Sequence, residues 1–126
     1  MNLENIVADL EYCKNLDPKV WGETVFMSDG NDIFLRMSIQ QSWEKPFIPR
    51  PTFAEVWAKL PECKVTDDGA AYLQIKKRDG FYYPSYFWAD GMDYGDTFEY
   101  GFEIKDPNPV NAAIKLYKWC EEEGYV

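Results

Sequence analysis

The positions of apolar residues along the chain predict an alternation of helices and short strands. Leu3, Ile6, Val7, Leu10 and Cys13 recur at three- and four-residue spacing, one apolar stripe of a helix over residues 2–16, closed by Pro18. Residues 24–27 are short and extended, and Ser28-Asp29-Gly30-Asn31 supplies turn chemistry. Ile33, Leu35, Met37 and Ile39 then alternate with Phe34, Arg36, Ser38 and Gln40, which predicts the second strand of a hairpin with one face toward a core.

Prolines 46, 49 and 51 make residues 43–51 a stiff linker rather than a strand. Thr52 and Glu55 have capping-box spacing before a helix whose face is Phe53, Val56, Trp57 and Leu60, with Pro61 at its end. Residues 71–77 alternate around Leu73 and Ile75, and Arg78-Asp79-Gly80 is a tight turn into the aromatic run 81–88. Pro84 inside that run predicts a bulged or edge strand. A Gly/Asp loop over 89–96 leads to a third alternating stretch, 97–104. Asn108 as cap and Pro109 at the first helical position open the last helix. Val110, Ala113, Ile114, Tyr117 and Cys120 form its stripe, Leu116 and Trp119 widen it, and Gly124 marks its end. Helices set apart from antiparallel hairpins predict an α+β fold. The expectation is one domain, residues 1–126, with an antiparallel sheet of four to five strands (hairpin plus meander) packed by three helices.

Composition narrows the function classes. The 46% of hydrophobic residues suffice for a core, so disorder is not expected. With 22 acidic against 13 basic residues the net charge is −9. That field repels phosphate backbones and anionic membranes, so neither nucleic acid nor membrane is expected as a partner, while a basic protein is permitted. Cys13, Cys63 and Cys120 are odd in number and far apart, which indicates buried thiols rather than a disulfide framework or zinc site. The first residues lack a signal-peptide pattern and no apolar run reaches membrane-spanning length, which predicts an intracellular protein.

Two segments carry a resemblance. Residues 50–61, Arg-Pro-Thr-Phe-Ala-Glu-Val-Trp-Ala-Lys-Leu-Pro, form one. Residues 108–126, beginning Asn-Pro-Val-Asn-Ala-Ala-Ile and ending Gly-Tyr-Val, form the other. This layout resembles small bacteriophage and prophage proteins to which no activity is assigned. It differs from their pattern in a longer proline-rich approach to the second helix. The resemblance implies a phage or prophage origin and expression in the bacterial cytoplasm. It transfers no functional residue.

The chain has no histidine, which removes Ser-His-Asp and Cys-His catalysis and histidine metal sites. No nucleophile elbow, P-loop or dinucleotide fingerprint is present. Asp90, Asp93 and Asp96, with Glu99 beyond them, are the candidate metal ligands; carboxylates of this kind hold Ca²⁺ or Mg²⁺, but their three-residue step also suits a solvated turn. Asp29 and Asp32 flank Gly30 as turn residues. In the aromatic run Tyr82, Tyr86 and Trp88 share one face and Phe81, Tyr83 and Phe87 the other. Such a strand is either covered on both sides or leaves a contact surface, and Tyr82, Tyr86 and Trp88 are the candidate partner-binding residues. Lys76, Lys77 and Arg78 add either an anion site or solubility. Cys63 reads as structural. Glu121, Glu122 and Glu123 oppose the dipole of the last helix, which predicts that its last turn frays or meets a cation, with fraying the favoured reading. The resulting expectation is a non-enzymatic accessory protein that binds a host or phage protein and uses no cofactor. The alternatives are an acidic inhibitor of a host defence nuclease and a histidine-free, carboxylate- or metal-dependent enzyme built on Asp90, Asp93 or Asp96.

Overall fold

The computed structural model describes residues 7–39, 47–66, 69–88 and 104–126. They form an α+β fold with two antiparallel sheets of three strands each, rather than the single sheet expected. In chain order the elements are α1 (Leu10–Cys13), α2 (Pro18–Trp21), β1 (Phe26–Ser28), β2 (Ile33–Leu35), β3 (Ile48–Pro49), α3 (Phe53–Lys59), β4 (Cys63–Thr66), β5 (Gly69–Arg78), β6 (Phe81–Trp88) and α4 (Pro109–Glu122). One sheet has the order β2-β1-β3, the other β4-β5-β6.

Of the N-terminal stripe, Val7 and Cys13 are buried and Leu10 half-buried, whereas Leu3 and Ile6 lie outside the described residues, and residues 7–9 are not helical. Val7 is extended and bridges Thr52, and Asp9 is extended at φ −61°, ψ 147°. Among the described residues of this stretch, only Leu10–Cys13 turns helical. Tertiary partners override helical periodicity here: the Ala8 carbonyl accepts two bonds from the Arg50 guanidinium, and the Asp9 amide donates to Asn111. Pro18 ends that segment and also opens α2, where the Asp17 carboxylate caps the Lys19 amide.

The first hairpin turns where expected. Gly30 sits at φ 104°, and the Asp29 carboxylate accepts from the amides of Asn31 and Asp32. The predicted face Ile33-Leu35-Met37-Ile39 is not a core face, however. A 3₁₀ turn over Arg36–Ser38 breaks the two-residue period and leaves Met37 87% exposed. The proline linker, in turn, contains a strand: Ile48–Pro49 pairs with β1. Arg50 donates its amide to the Phe26 carbonyl, so by alternation the missing N–H of Pro49 faces away from β1 and costs no ladder bond.

The second sheet follows the sequence more closely. Asp79 at φ 54° and Gly80 at φ 81° make a two-residue turn with both central residues left-handed. From there the β5–β6 register runs unbroken from Arg78↔Phe81 to Ala71↔Trp88. Pro84 causes no bulge. The Tyr82 amide donates to the Asp106 carbonyl, on the side away from β5, so the Pro84 nitrogen faces that same side. Strand β4, unforeseen in the sequence, adds along β5 from Cys63↔Tyr72 to Thr66↔Gly69. The expected strand over 97–104 lies outside the described residues except for Ile104, which is buried.

Helix α3 begins with a complete capping box. The Glu55 amide donates to the Thr52 hydroxyl and the Thr52 amide to the Glu55 carboxylate. The other oxygen of that carboxylate accepts from the Val25 amide, tying the cap to the first sheet. Helix α4 is buried nearly all round, and fully buried side chains such as Ile114 and Leu116 each stabilise the fold by roughly 1.5–3 kcal/mol. Its last turn is closed rather than frayed. Gly124, at φ 79°, donates to the Glu121 carbonyl and Tyr125 to the Cys120 carbonyl, the two bonds of a Schellman motif. The core joins α1, α2 and α3 to the β5–β6 hairpin around α4, with Trp21 edge-on to Tyr117 at 5.1 Å.

Candidate interaction site

The densest polar cluster among the described residues surrounds the start of α4. Asn108 accepts from the amides of Val110 (2.8 Å) and Asn111 (3.4 Å) and donates its side-chain amide to the Val7 carbonyl. Asp106 accepts from the Asn108 amide at 2.8 Å and the Asn111 side chain at 3.3 Å, and its second oxygen pairs with Lys115 at 2.9 Å. Asn111 accepts from the Asp9 amide and donates to the Asp9 carboxylate, both at 2.8 Å. Burial opposes the charge on Lys115, but its bond to Asp106 and the contact with Tyr12 outweigh it and raise its pKa. Each side chain in this cluster is engaged with another side chain or with backbone, so the arrangement holds the N-terminal segment to α4 and offers no unengaged group for chemistry.

The tip of the β5–β6 hairpin is basic and aromatic. Lys77 lies over Tyr82, Arg78 over Tyr83 and Lys105 over Phe81, all at 5.1–5.3 Å from the ring centroids. Two of these cations come from the hairpin and Lys105 from the chain just before α4, and together they cover rings that are half-buried beside an exposed turn.

A cleft lies between α3 and β5. Trp57, Ala58, Leu60, Glu62 and Leu73 line a space of about 220 Å³. That is below the roughly 300–1,000 Å³ of small-molecule sites, and it suits a single side chain rather than a cofactor. The walls are rigidly placed. Trp57 stacks on Phe53 with centroids 4.9 Å apart. The Glu62 carbonyl accepts from the Leu73 amide at 2.9 Å and the Pro61 carbonyl from the Tyr86 hydroxyl at 2.9 Å, so the floor is pinned to both strands. The Glu62 side chain is exposed, and among the described residues its carboxylate has no hydrogen-bond or ion-pair partner.

Of the candidate aromatic residues, Tyr86 departs from the contact-surface expectation. Tyr82 and Tyr86 do share one face by register, opposite Lys77 and Leu73. That face packs toward the core at its centre. Tyr86 is 2% exposed, so it is a core residue and not part of a contact surface. Its hydroxyl is 3.9 Å from the Cys120 sulfur, and burial, with Cys120 and Cys63 nearby, drives its pKa well above the ordinary tyrosine value. Tyr82 is half-buried beneath Lys77. Trp88 is described only in its backbone, which pairs with Ala71. Asp90, Asp93 and Asp96 lie outside the described residues, among which no group of three or more acids and cysteines is placed to hold a metal ion. Cys13 and Cys120 are buried and Cys63 half-buried; burial pushes the Cys13 thiol up to about 11.

The sequence marked Trp57, Leu60 and Leu73 as core-facing but gave no sign that they border a shared space. That depends on where Pro61 and Glu62 are pinned against the sheet. No helix among the described residues is long and apolar enough to cross a membrane. Compared with known protein families, curated proteins and solved structures, the chain matches none.

Proposed function

We propose that this chain acts by binding another protein, with the α3–β5 cleft as its contact site. The observation that carries the reading is an open, mostly apolar cleft whose one charged side chain has no partner among the described residues. Its size suits an anchor side chain of a partner, and its pinned floor would cost little to order on binding. The resemblance to phage and prophage proteins supports placing that partner in the bacterial cytoplasm.

Ala58→Arg tests the site, because Ala58 is exposed on α3 and an arginine there fills the cleft from within. Asn31→Arg, in the exposed hairpin turn, is the control for added charge. Both are surface changes expected to alter stability by no more than about 0.5 kcal/mol. A bacterial protein retained at low salt by the original chain and by Asn31→Arg, but lost with Ala58→Arg, is the expected result. Equal retention by both variants, or no retained protein at all, refutes the assignment.

A further inference from the structure

Resting on the cleft as contact site, we infer that its ligand is a basic segment of a partner protein, presenting one aliphatic side chain beside a lysine or arginine. The cleft wall is apolar apart from Glu62. A cation stands three positions earlier in the chain, yet the fold sends it elsewhere: the Lys59 ammonium is held over the Trp21 ring, 5.1 Å from its centroid. Glu62, the one charged residue lining the cleft, is exposed, and its carboxylate has no hydrogen bond or ion pair among the described residues. The nearest described cations on β5 begin at Lys76, about 10 Å further along the strand from Leu73. An incoming side chain would seat against Trp57, Leu60 and Leu73 while its charged neighbour met Glu62. The net charge of −9 favours the approach of such a segment and repels an acidic one.

The test is an NMR titration of the isotope-labelled full chain with three blocked hexapeptides. Their central residues are Arg-Leu-Arg, Gln-Leu-Gln or Glu-Leu-Glu, and the signals followed are the Trp57 indole and the amides of Ala58, Glu62 and Leu73. The arginine peptide is expected to bind about three- to tenfold more tightly than the glutamine peptide, with the glutamate peptide weakest. In Glu62→Gln that preference for the arginine peptide should shrink to less than about twofold. Equal affinity for the arginine and glutamine peptides, or a preference that survives Glu62→Gln, overturns the basic-segment inference and leaves the cleft as contact site. If no peptide moves these signals, the contact-site reading falls and takes the inference with it.

Discussion

Asn111 provides a sharp test of the polar cluster that fixes the N-terminal segment to α4. Its side-chain amide points a donor at two carboxylates, 2.8 Å from Asp9 and 3.3 Å from Asp106, and its oxygen accepts from the Asp9 amide at 2.8 Å. The residue is 2% exposed. Asn111→Ala removes all three bonds. Asp9 is exposed and can turn to water, and Asp106 keeps Asn108 and Lys115, so the loss should be about 1–3 kcal/mol. Asn111→Asp keeps the acceptor but replaces the donor with an oxygen facing two carboxylates. At neutral pH that change should cost more, roughly 3–5 kcal/mol, because a buried charge then meets like charges without compensation.

The two variants separate by pH. Like charges raise the folded-state pKa of the new carboxyl above its unfolded value. Its contribution to stability is therefore intact below the unfolded value, near 4, and is lost as pH rises through the folded one. Protonated, it can donate to Asp9 or Asp106 much as the amide does. Urea unfolding followed by tryptophan fluorescence at pH 7.5 and pH 5, each referred to the original chain at the same pH, measures this. The aspartate variant should be the less stable at pH 7.5 and recover toward the alanine variant at pH 5. A gap between them that does not change with pH, or an alanine variant less stable than the aspartate one at pH 7.5, would refute the donor role given to Asn111.

Two further outcomes follow from buried groups. The raised pKa of Tyr86 means that its stabilisation holds below the ordinary tyrosine value near 10 and is lost as pH rises through the higher folded value. Tyr86→Phe should cost about 1 kcal/mol at pH 7, by stripping the Pro61 carbonyl of its donor, and should lose less stability than the original chain above pH 10; parallel alkaline unfolding curves would contradict this. For the thiols, a disulfide reagent at neutral pH should label Cys63 in the folded chain, and Cys13 and Cys120 only on unfolding, as read by peptide mass spectrometry. Native labelling of Cys13 as fast as Cys63 would contradict the burial assigned to it.

Local chemistry was legible wherever a short segment contains its own partners. The Thr52–Glu55 box, the Asp79-Gly80 turn, the Asn108-Pro109 start and the Gly124 stop of α4 each close bonds within a few residues, so each could be read from spacing alone. The β5–β6 hairpin was legible for the same reason, since a two-residue turn sets its register. Sequence also determined that the class would be α+β and that buried residues would be mostly apolar.

Tertiary structure decided the rest, because those outcomes rest on groups far apart in the chain. Val7 to Asp9 is extended because Thr52, Arg50 and Asn111 supply its hydrogen bonds from 42 or more positions away, and helical spacing holds no information about them. Ile48–Pro49 became a strand because β1 presented carbonyls to it on the side where Pro49 needs no N–H. Tyr86 went inside because α4 and Pro61 met it there, whereas an aromatic run reads the same whether covered or bare. The cleft belongs to this second kind: Trp57, Leu60 and Leu73 were written into the sequence as core residues, and only the pinning of Pro61 and Glu62 against the sheet left space between them.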